Sequence, residues 1–195
     1  MADTIKLLAF AGSTREGSYN KKLIKAAADY AREAGAEVTL IDLRDYPLPL
    51  FDEDCESKEG LPANGRKIKD LMIGHDGFLI STPEYNGFFS GVLKNTIDWA
   101  SRPVEGYPPF ECFEGKTAGL LAASPGGGGG MRALPVLRQQ LSNIRMLVIP
   151  EQFGLGSASK AFDDAGQLAD EKQFAAVKNV VDKLIKVTKA IKQAT

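Results

Sequence analysis

Five short apolar segments, separated by stretches with helical periodicity, constrain this chain more than any other feature of its sequence. Short continuous apolar runs are typical of strands that are buried on both faces of a sheet. We place strands at 5–10, 37–43, 77–81, 117–123 and 145–149. Helical patterns lie between and after them, at 18–34, 63–74, 90–101, 131–142 and 170–192. This alternation predicts a parallel sheet with right-handed crossovers and helices on both faces.

The alternation also predicts where a ligand would bind. We expect the strand order 2-1-3-4-5, in which the chain reverses direction between strands 1 and 3. Ligands of such sheets bind outside the carboxyl ends of the strands, at this reversal. The loops expected there are 12–20, 82–89 and 124–130, and they hold the unusual residues of the sequence. The segments 46–62 and 102–115 are expected to be irregular loops.

Composition excludes several classes of function. With 195 residues and a net charge of −1, the chain has no electrostatic footprint for nucleic acid. It shows no signal peptide and no apolar stretch of membrane-spanning length, so we expect a cytoplasmic protein without membrane contact. Cys55 and Cys112 are expected to be free thiols. These cysteines and the single His75 do not form a metal-binding pattern, so no metal site is predicted.

The first loop, Gly12 to Asn20, has the chemistry of a phosphate site. It combines short hydroxyl side chains with an arginine and a helix start, whose backbone N–H groups attract anions. Gly12 and Gly17 have the spacing of a nucleoside-triphosphate loop, but Ser18 stands where that loop needs lysine. A terminal phosphate monoester therefore fits better. The alternative is that Ser18 and Asn20 only cap the helix, which leaves the arginine and both glycines unexplained.

The second loop offers a surface for a flat ring. In its sequence Thr-Pro-Glu-Tyr-Asn-Gly-Phe-Phe, Pro83 ends the strand and Gly87 permits a close backbone approach. A planar ring lying against this loop would meet backbone N–H groups with its acceptor atoms. The alternative is an ordinary turn with Tyr85 on the surface.

The third loop contains five consecutive glycines after a buried strand, at 126–130. Such a run is costly in conformational entropy. A flexible linker is a poor explanation between a core strand and a helix. We expect the backbone here to approach a flat ligand closely.

Taken together, these loops resemble the NAD(P)H-dependent FMN reductase family, which includes bacterial quinone, azo-dye and chromate reductases. The resemblance covers nearly the whole chain, and its specific parts are three. They are Gly-Ser-Thr-Arg-Glu-Gly-Ser-Tyr-Asn at 12–20, Pro-Glu-Tyr-Asn-Gly at 83–87 with Leu-Lys-Asn-Thr-Ile-Asp-Trp at 93–99, and Ser-Pro-Gly-Gly at 124–127. It implies an α/β, flavodoxin-like three-layer sandwich, with one FMN-binding domain over 1–195.

The resemblance also implies a set of FMN-binding residues. In the first loop these are Ser13, Arg15, Ser18, Tyr19 and Asn20, which would hold the phosphate end. In the other two loops, which would contact the isoalloxazine ring, they are Pro83, Glu84, Tyr85, Asn86, Gly87, Ser124, Gly126 and Gly127. Family members are usually homodimers or homotetramers, with interfaces near the region after the second loop. Many members have serine, then an aliphatic or aromatic residue, then proline after this motif, whereas this chain has Phe88-Phe89-Ser90. We expect this change to make the mouth of the site more apolar.

The resemblance implies an oxidoreductase that passes a hydride from NADH or NADPH through FMN to a quinone, an azo compound, a metal oxyanion or free flavin. The flavin performs this chemistry, so no catalytic side chain is predicted, although Tyr85 is a candidate for stacking on the substrate. One alternative is a flavodoxin-type electron carrier, which a net charge of −1 disfavours because such carriers tend to be acidic. Another is a flavin-free α/β protein that binds a different phosphorylated ligand.

Overall fold

The core of the chain is a parallel sheet, seen in a computed structural model that describes residues 4–108 and 110–194. The five strands of this sheet have the spatial order β2-β1-β3-β4-β5 when counted along the chain. This confirms the predicted α/β fold and the order 2-1-3-4-5. The strands are β1 (Lys6–Ala11), β2 (Glu37–Asp42), β3 (Gly77–Thr82), β4 (Thr117–Ala123) and β5 (Leu147–Leu155).

Helices cover the sheet on both faces because its strands alternate apolar side chains between the two sides. In β1, Leu7 and Ala9 pack with one set of helices, and Leu8 and Phe10 pack with the other. The first face carries α1 (Tyr19–Glu33) and α6 (Glu171–Ala194). The second face carries α3 (Ala63–Ile73), α4 (Gly91–Ala100) and α5 (Ala133–Asn143). The first and second cores are thus separated by the sheet.

In the described part of the chain, no helix is long and apolar enough to cross a membrane.

Two elements differ from the sequence prediction. The predicted loop at 46–62 contains a helix, α2 (Glu53–Glu59), which begins after the capping side chain of Asp52. This helix buries none of its residues, so it leaves no apolar periodicity to detect. The last strand was predicted at 145–149, but β5 continues through Pro150 to Leu155. A sheet tolerates proline on an edge strand, and the pairing of β4 with β5 changes register between Ala118 and Leu120.

A buried polar cluster joins α3 to the end of α4. The side chain of Lys69 is 1% exposed, and its Nζ donates to Ala100 O at 2.9 Å and to Arg102 O at 2.8 Å. The thiol of Cys112 also donates to Ala100 O, at 3.1 Å. Burial raises the pKa of Cys112 to about 11, so this thiol is neutral at physiological pH. Both cysteines are free.

We predict that Lys69→Met lowers the free energy of unfolding by about 1–3 kcal/mol, because the two carbonyl groups lose a charged donor inside the protein. Urea denaturation followed by circular dichroism measures this loss. Lys67→Met is the matched control: it makes the same change two residues away at an exposed position, where we expect an effect within about 0.5 kcal/mol. Equal stability of the two variants would contradict the structural role of Lys69.

Candidate functional site

The three unusual loops meet at the carboxyl ends of β1, β3 and β4. The first loop follows β1 and is joined to β3 by a hydrogen bond from Gly12 N to Ser81 O, at 2.8 Å. The second loop follows β3 directly, and the third follows β4. The site predicted at the reversal of strand order is therefore built from all three loops.

The Asn20 side chain binds these strand ends to the start of α1. Its Oδ1 accepts from Ala123 N at 2.9 Å and from Ser81 Oγ at 2.7 Å, while its Nδ2 donates to Ala123 O at 2.9 Å. Asn20 is 3% exposed. Its amide is thus engaged inside the protein, which favours a positioning role over the phosphate contact that the sequence predicted for it.

The start of α1 carries the positive end of a helix dipole. Ser18 is the N-cap, with its Oγ accepting from Lys21 N at 3.4 Å, as the capping alternative predicted. The first turn holds no acidic residue. The guanidinium of Arg15 lies over the Tyr19 ring at 5.4 Å and forms no ion pair with the described carboxylates. A helix N-terminus with a free arginine beside it is suited to an anion.

Gly12 is required by packing as well as by its place in this loop. A Cβ at this position would lie 2.9 Å from Leu93 Cβ and 2.9 Å from Ser90 Oγ. Ser90 is the N-cap of α4, and its hydroxyl donates to Gly12 O. The first loop is therefore held against the first turn of α4. The sequence shows Ser90 only as a serine at the start of a predicted helix, which does not predict its contact with Gly12.

The second loop is a two-stranded hairpin closed by a tight turn, in agreement with the alternative of a turn with Tyr85 on the surface. Glu84–Tyr85 pairs antiparallel with Phe88–Phe89 around the turn residues Asn86 and Gly87, whose φ values are 53° and 85°. Two positive φ values in a two-residue turn define type I′, for which Asn-Gly is the favoured sequence. Gly87 is thus needed for the turn itself.

The hairpin turns one aromatic pair to the outside. Tyr85 and Phe88 are directly opposite in register and are 57% and 60% exposed. Phe89, on the alternate face, is buried in the core of the second sheet face. Phe89 therefore anchors the hairpin, and the surface outside it is aromatic.

The glycine run divides into two parts with different reasons for lacking a side chain. Gly129 and Gly130 are buried and have positive φ values. A Cβ at Gly129 would lie 2.6 Å from Gly154 O, and one at Gly130 would lie 2.9 Å from Ala122 Cβ. These two glycines are explained by packing against β5 and β4, which corrects the expectation that the whole run serves a ligand. The residues 126–128 are exposed, and the space around their Cβ positions is open.

One ion pair joins the second loop to the third. Arg132 Nε donates to Glu84 Oε1 at 2.7 Å, and Arg132 N donates to Glu84 Oε2 at 3.3 Å. The carboxylate side chain is 13% exposed and the arginine side chain is 80% exposed. The pair fixes the hairpin relative to the exposed glycines. No pattern in the sequence predicts that Arg132 pairs with Glu84.

The site thus has a helix N-terminus with a free guanidinium at one end and exposed glycine backbone with an aromatic hairpin at the other. These groups are suited to an anionic group joined to a flat ring. Across residues 4–108 and 110–194, no three His, Cys, Asp or Glu side chains are grouped closely enough to hold a metal ion.

We predict that Gly129→Ala destabilises the protein by more than about 2 kcal/mol, because its Cβ would collide with the backbone of β5 at a positive φ. Gly127→Ala, the same substitution two residues earlier, has open space around it and should change stability by less than about 0.5 kcal/mol. Thermal unfolding of the two variants measures the difference. A stable Gly129→Ala protein would show that the loop repacks.

Comparison with known proteins places this geometry in a family. Residues 5–160 match the family model of NADPH-dependent FMN reductases. An NAD(P)H-dependent FMN reductase of Pseudomonas aeruginosa is 40% identical over 174 residues, 88% of this chain and 89% of that protein. A quinone reductase of Pseudomonas putida is 34% identical over 173 residues, 88% of each chain.

A solved structure agrees with these relatives. The flavoenzyme NAD(P)H:(acceptor) oxidoreductase of Paracoccus denitrificans superposes with a TM-score of 0.79 at 26% identity, covering 96% of this chain and 98% of that one. The predicted oxidoreductase class and the predicted pairing of FMN with a nicotinamide nucleotide are confirmed at the level of the family. The chain belongs to the NADPH-dependent FMN reductase family.

Proposed function

We propose that this protein is an FMN-dependent oxidoreductase that takes a hydride from NAD(P)H and reduces a flat aromatic acceptor of the quinone class. The observation that carries the proposal is Arg15, which forms no ion pair with the described carboxylates. It lies in the loop after β1, on the sheet edge where the hairpin follows β3 and the exposed glycines follow β4. Bound FMN would supply the redox chemistry by accepting a hydride and giving up electrons. The protein residues hold, orient and shield the reacting groups.

The phosphate end of FMN would lie at the start of α1. Arg15 is exposed, forms no ion pair with the carboxylates that the structure describes, and offers a charge-assisted hydrogen bond. Ser18 is the N-cap and Tyr19 the first residue of α1, where backbone N–H groups lack partners within the helix, and Ser13 belongs to the loop that leads to them. Asn20 contributes to phosphate binding indirectly, because its side chain holds this helix start against β3 and β4.

The ring end of FMN would lie between the hairpin and the third loop. The residues 83–87 offer hairpin backbone whose conformation is set by the type I′ turn and by the Glu84–Arg132 ion pair. On the other side, Ser124 and the exposed Gly126 and Gly127 offer backbone without side-chain obstruction. The Ser124 hydroxyl donates to Gly126 O at 3.2 Å, which restrains this backbone.

The exposed pair Tyr85 and Phe88 supports the choice of acceptor. Two aromatic rings on one face of a fixed hairpin form an apolar platform at the mouth of the proposed ring site. Flat aromatic acceptors gain from stacking there, whereas a metal oxyanion does not. A quinone is therefore favoured over an oxyanion, and azo compounds and free flavin, which are also flat, fit the same surface.

The assembly and location that the resemblance implies also belong to the proposal. We expect a homodimer or homotetramer in the cytoplasm. Support comes from Leu50, which is 83% exposed. It lies beside Pro49, whose carbonyl oxygen accepts from Asn95 and Trp99 of α4, the helix that follows the second loop. Multi-angle light scattering of the purified protein determines the oligomeric state, and a monomer would contradict this part of the proposal.

We predict that Arg15→Ala weakens FMN binding by about 10-fold or more, because a charge-assisted contact with the phosphate is lost. Fluorescence titration of the apoprotein with FMN measures the dissociation constant. Arg32→Ala removes an arginine from the other end of α1, where Arg32 pairs with Asp29, and should leave FMN affinity unchanged. Unchanged affinity in Arg15→Ala would overturn the phosphate assignment.

We predict that Phe88→Ala lowers kcat/KM for a naphthoquinone by about 3- to 10-fold and leaves ferricyanide reduction unchanged, because only the flat acceptor stacks on the hairpin. Tyr85→Phe retains the ring and should behave as the parent protein. Steady-state kinetics with each acceptor at saturating NADPH give the ratio. If both acceptors lose activity equally, Phe88 supports the hairpin and not the acceptor.

A further inference from the structure

A cavity lies directly beside the proposed phosphate loop. It has a volume of about 250 Å³ and is formed by the first loop, the segment after β2 and the first turns of α4. Thr14, which lines it, stands between Ser13 and Arg15 in the sequence. The cavity therefore shares a wall with the proposed FMN site without being part of it.

Arg44 brings a guanidinium to the wall of this cavity. It belongs to a single turn of 3-10 helix, Leu43–Asp45, which is capped by Asp42. Asp42 Oδ1 accepts from Arg44 N at 2.9 Å, and Asp42 Oδ2 is paired with Lys21 Nζ at 2.6 Å. Within the described ranges the Arg44 side chain, which is exposed, forms no ion pair with a carboxylate.

The remaining walls of the cavity are apolar or already satisfied. Leu43, Leu48 and Val92 contribute aliphatic surface, and the half-buried Tyr46 contributes a ring. The Asn95 amide is engaged with Phe51 N at 2.8 Å and with Pro49 O at 2.9 Å. An apolar space with an aromatic wall and a guanidinium fits a flat base whose attached ribose carries a phosphate.

The neighbouring cavity at the ends of β1 and β2 is unsuited to the same ligand. It has a similar volume, about 310 Å³, and is lined by Lys21 and Lys25 but also by Asp42 and Asp45. Its lysine charge is compensated, since Lys21 is paired with Asp42 and Lys25 with Asp29. Neither of its lysines is therefore available to a phosphate without breaking an existing ion pair.

The cavity of Arg44 is within reach of a ligand whose other end lies at the hairpin. Its helical wall is formed by α4 residues 92–96, which begin four residues after Phe88. Three residues lead from Phe89, at the end of the hairpin, to Val92, and a chain spans at most about 3.5 Å per residue, so this wall begins within roughly 11 Å of the hairpin. A dinucleotide that stacks its nicotinamide at the hairpin can place its adenosine here.

We propose that this cavity binds the adenosine end of the nicotinamide co-substrate and that Arg44 contacts the 2′-phosphate that distinguishes NADPH from NADH. The inference rests on the proposed function, because it concerns the co-substrate of that reaction. It assigns NADPH as the preferred hydride donor. Arg44 is then a specificity-determining residue, remote from the atoms that react.

Two ligands that lack nicotinamide test the cavity directly. Calorimetric titration of the FMN-loaded protein should show adenosine 2′,5′-bisphosphate binding about 10-fold or more tightly than 5′-AMP, because only the former carries the 2′-phosphate. Arg44→Ala should abolish this difference. Lys25→Ala, which removes a cation from the neighbouring cavity, is the matched control and should preserve it. Equal binding of the two ligands to the parent protein would overturn the proposal.

Kinetics give a second, independent measurement. Arg44→Ala should raise the KM for NADPH by about 10-fold or more while leaving kcat and the KM for NADH unchanged. Val92→Phe, which narrows the cavity without changing its charge, should raise the KM for both nucleotides. A parent protein that prefers NADH, or an Arg44→Ala variant that keeps its NADPH preference, would refute the assignment. Retention of FMN and ferricyanide reduction with either nucleotide test the proposed function separately.

Discussion

The hydrogen bonds of the buried Asn20 amide are the interaction on which the rest of the site depends. Beyond the ends of parallel strands the regular pairing of the sheet stops, and single contacts such as Gly12 N to Ser81 O join the loops. By bonding to Ser81 and Ala123, Asn20 ties the start of α1 to the ends of β3 and β4. Each such bond contributes about 1 kcal/mol, and an unpaired amide at this depth costs more. The conformation of the site therefore depends on a side chain that is itself removed from solvent.

Around this contact, other interactions set the spacing of the loops. The Ser90 hydroxyl fixes Gly12 against α4, and Arg132 fixes the hairpin against the glycine loop through Glu84. None of these side chains needs to touch the cofactor to affect it. A site that is formed before its ligand arrives loses less entropy on binding. Such preorganisation suits a protein whose cofactor performs the chemistry and whose own task is to position it.

The sequence predicts the sheet closely because the strands are buried on both faces and the rules for crossovers leave few alternatives. It predicts less where a segment is exposed or where packing is specific. The helix Glu53–Glu59 escapes detection because it buries none of its residues. The continuation of β5 through Pro150 to Leu155 escapes detection because proline usually ends a strand, although an edge strand tolerates it. At the site, residue types located the three loops correctly. They could not distinguish Gly129, required by β5, from Gly127, which is open to solvent, because that difference lies in contacts distant in sequence.

In the hairpin at 84–89, the residues that set the backbone conformation differ from those that form the outer surface. Its conformation depends on Asn86 and Gly87 in the turn, on the buried Phe89 and on the ion pair of Glu84. The outward side chains of Tyr85 and Phe88 lie outside the core and are more than half exposed. Substitution at those two positions can therefore alter which molecules are reduced at little cost in folding. Related proteins of one fold can diverge in substrate by exchanging these side chains alone, while the segment that carries them stays the same.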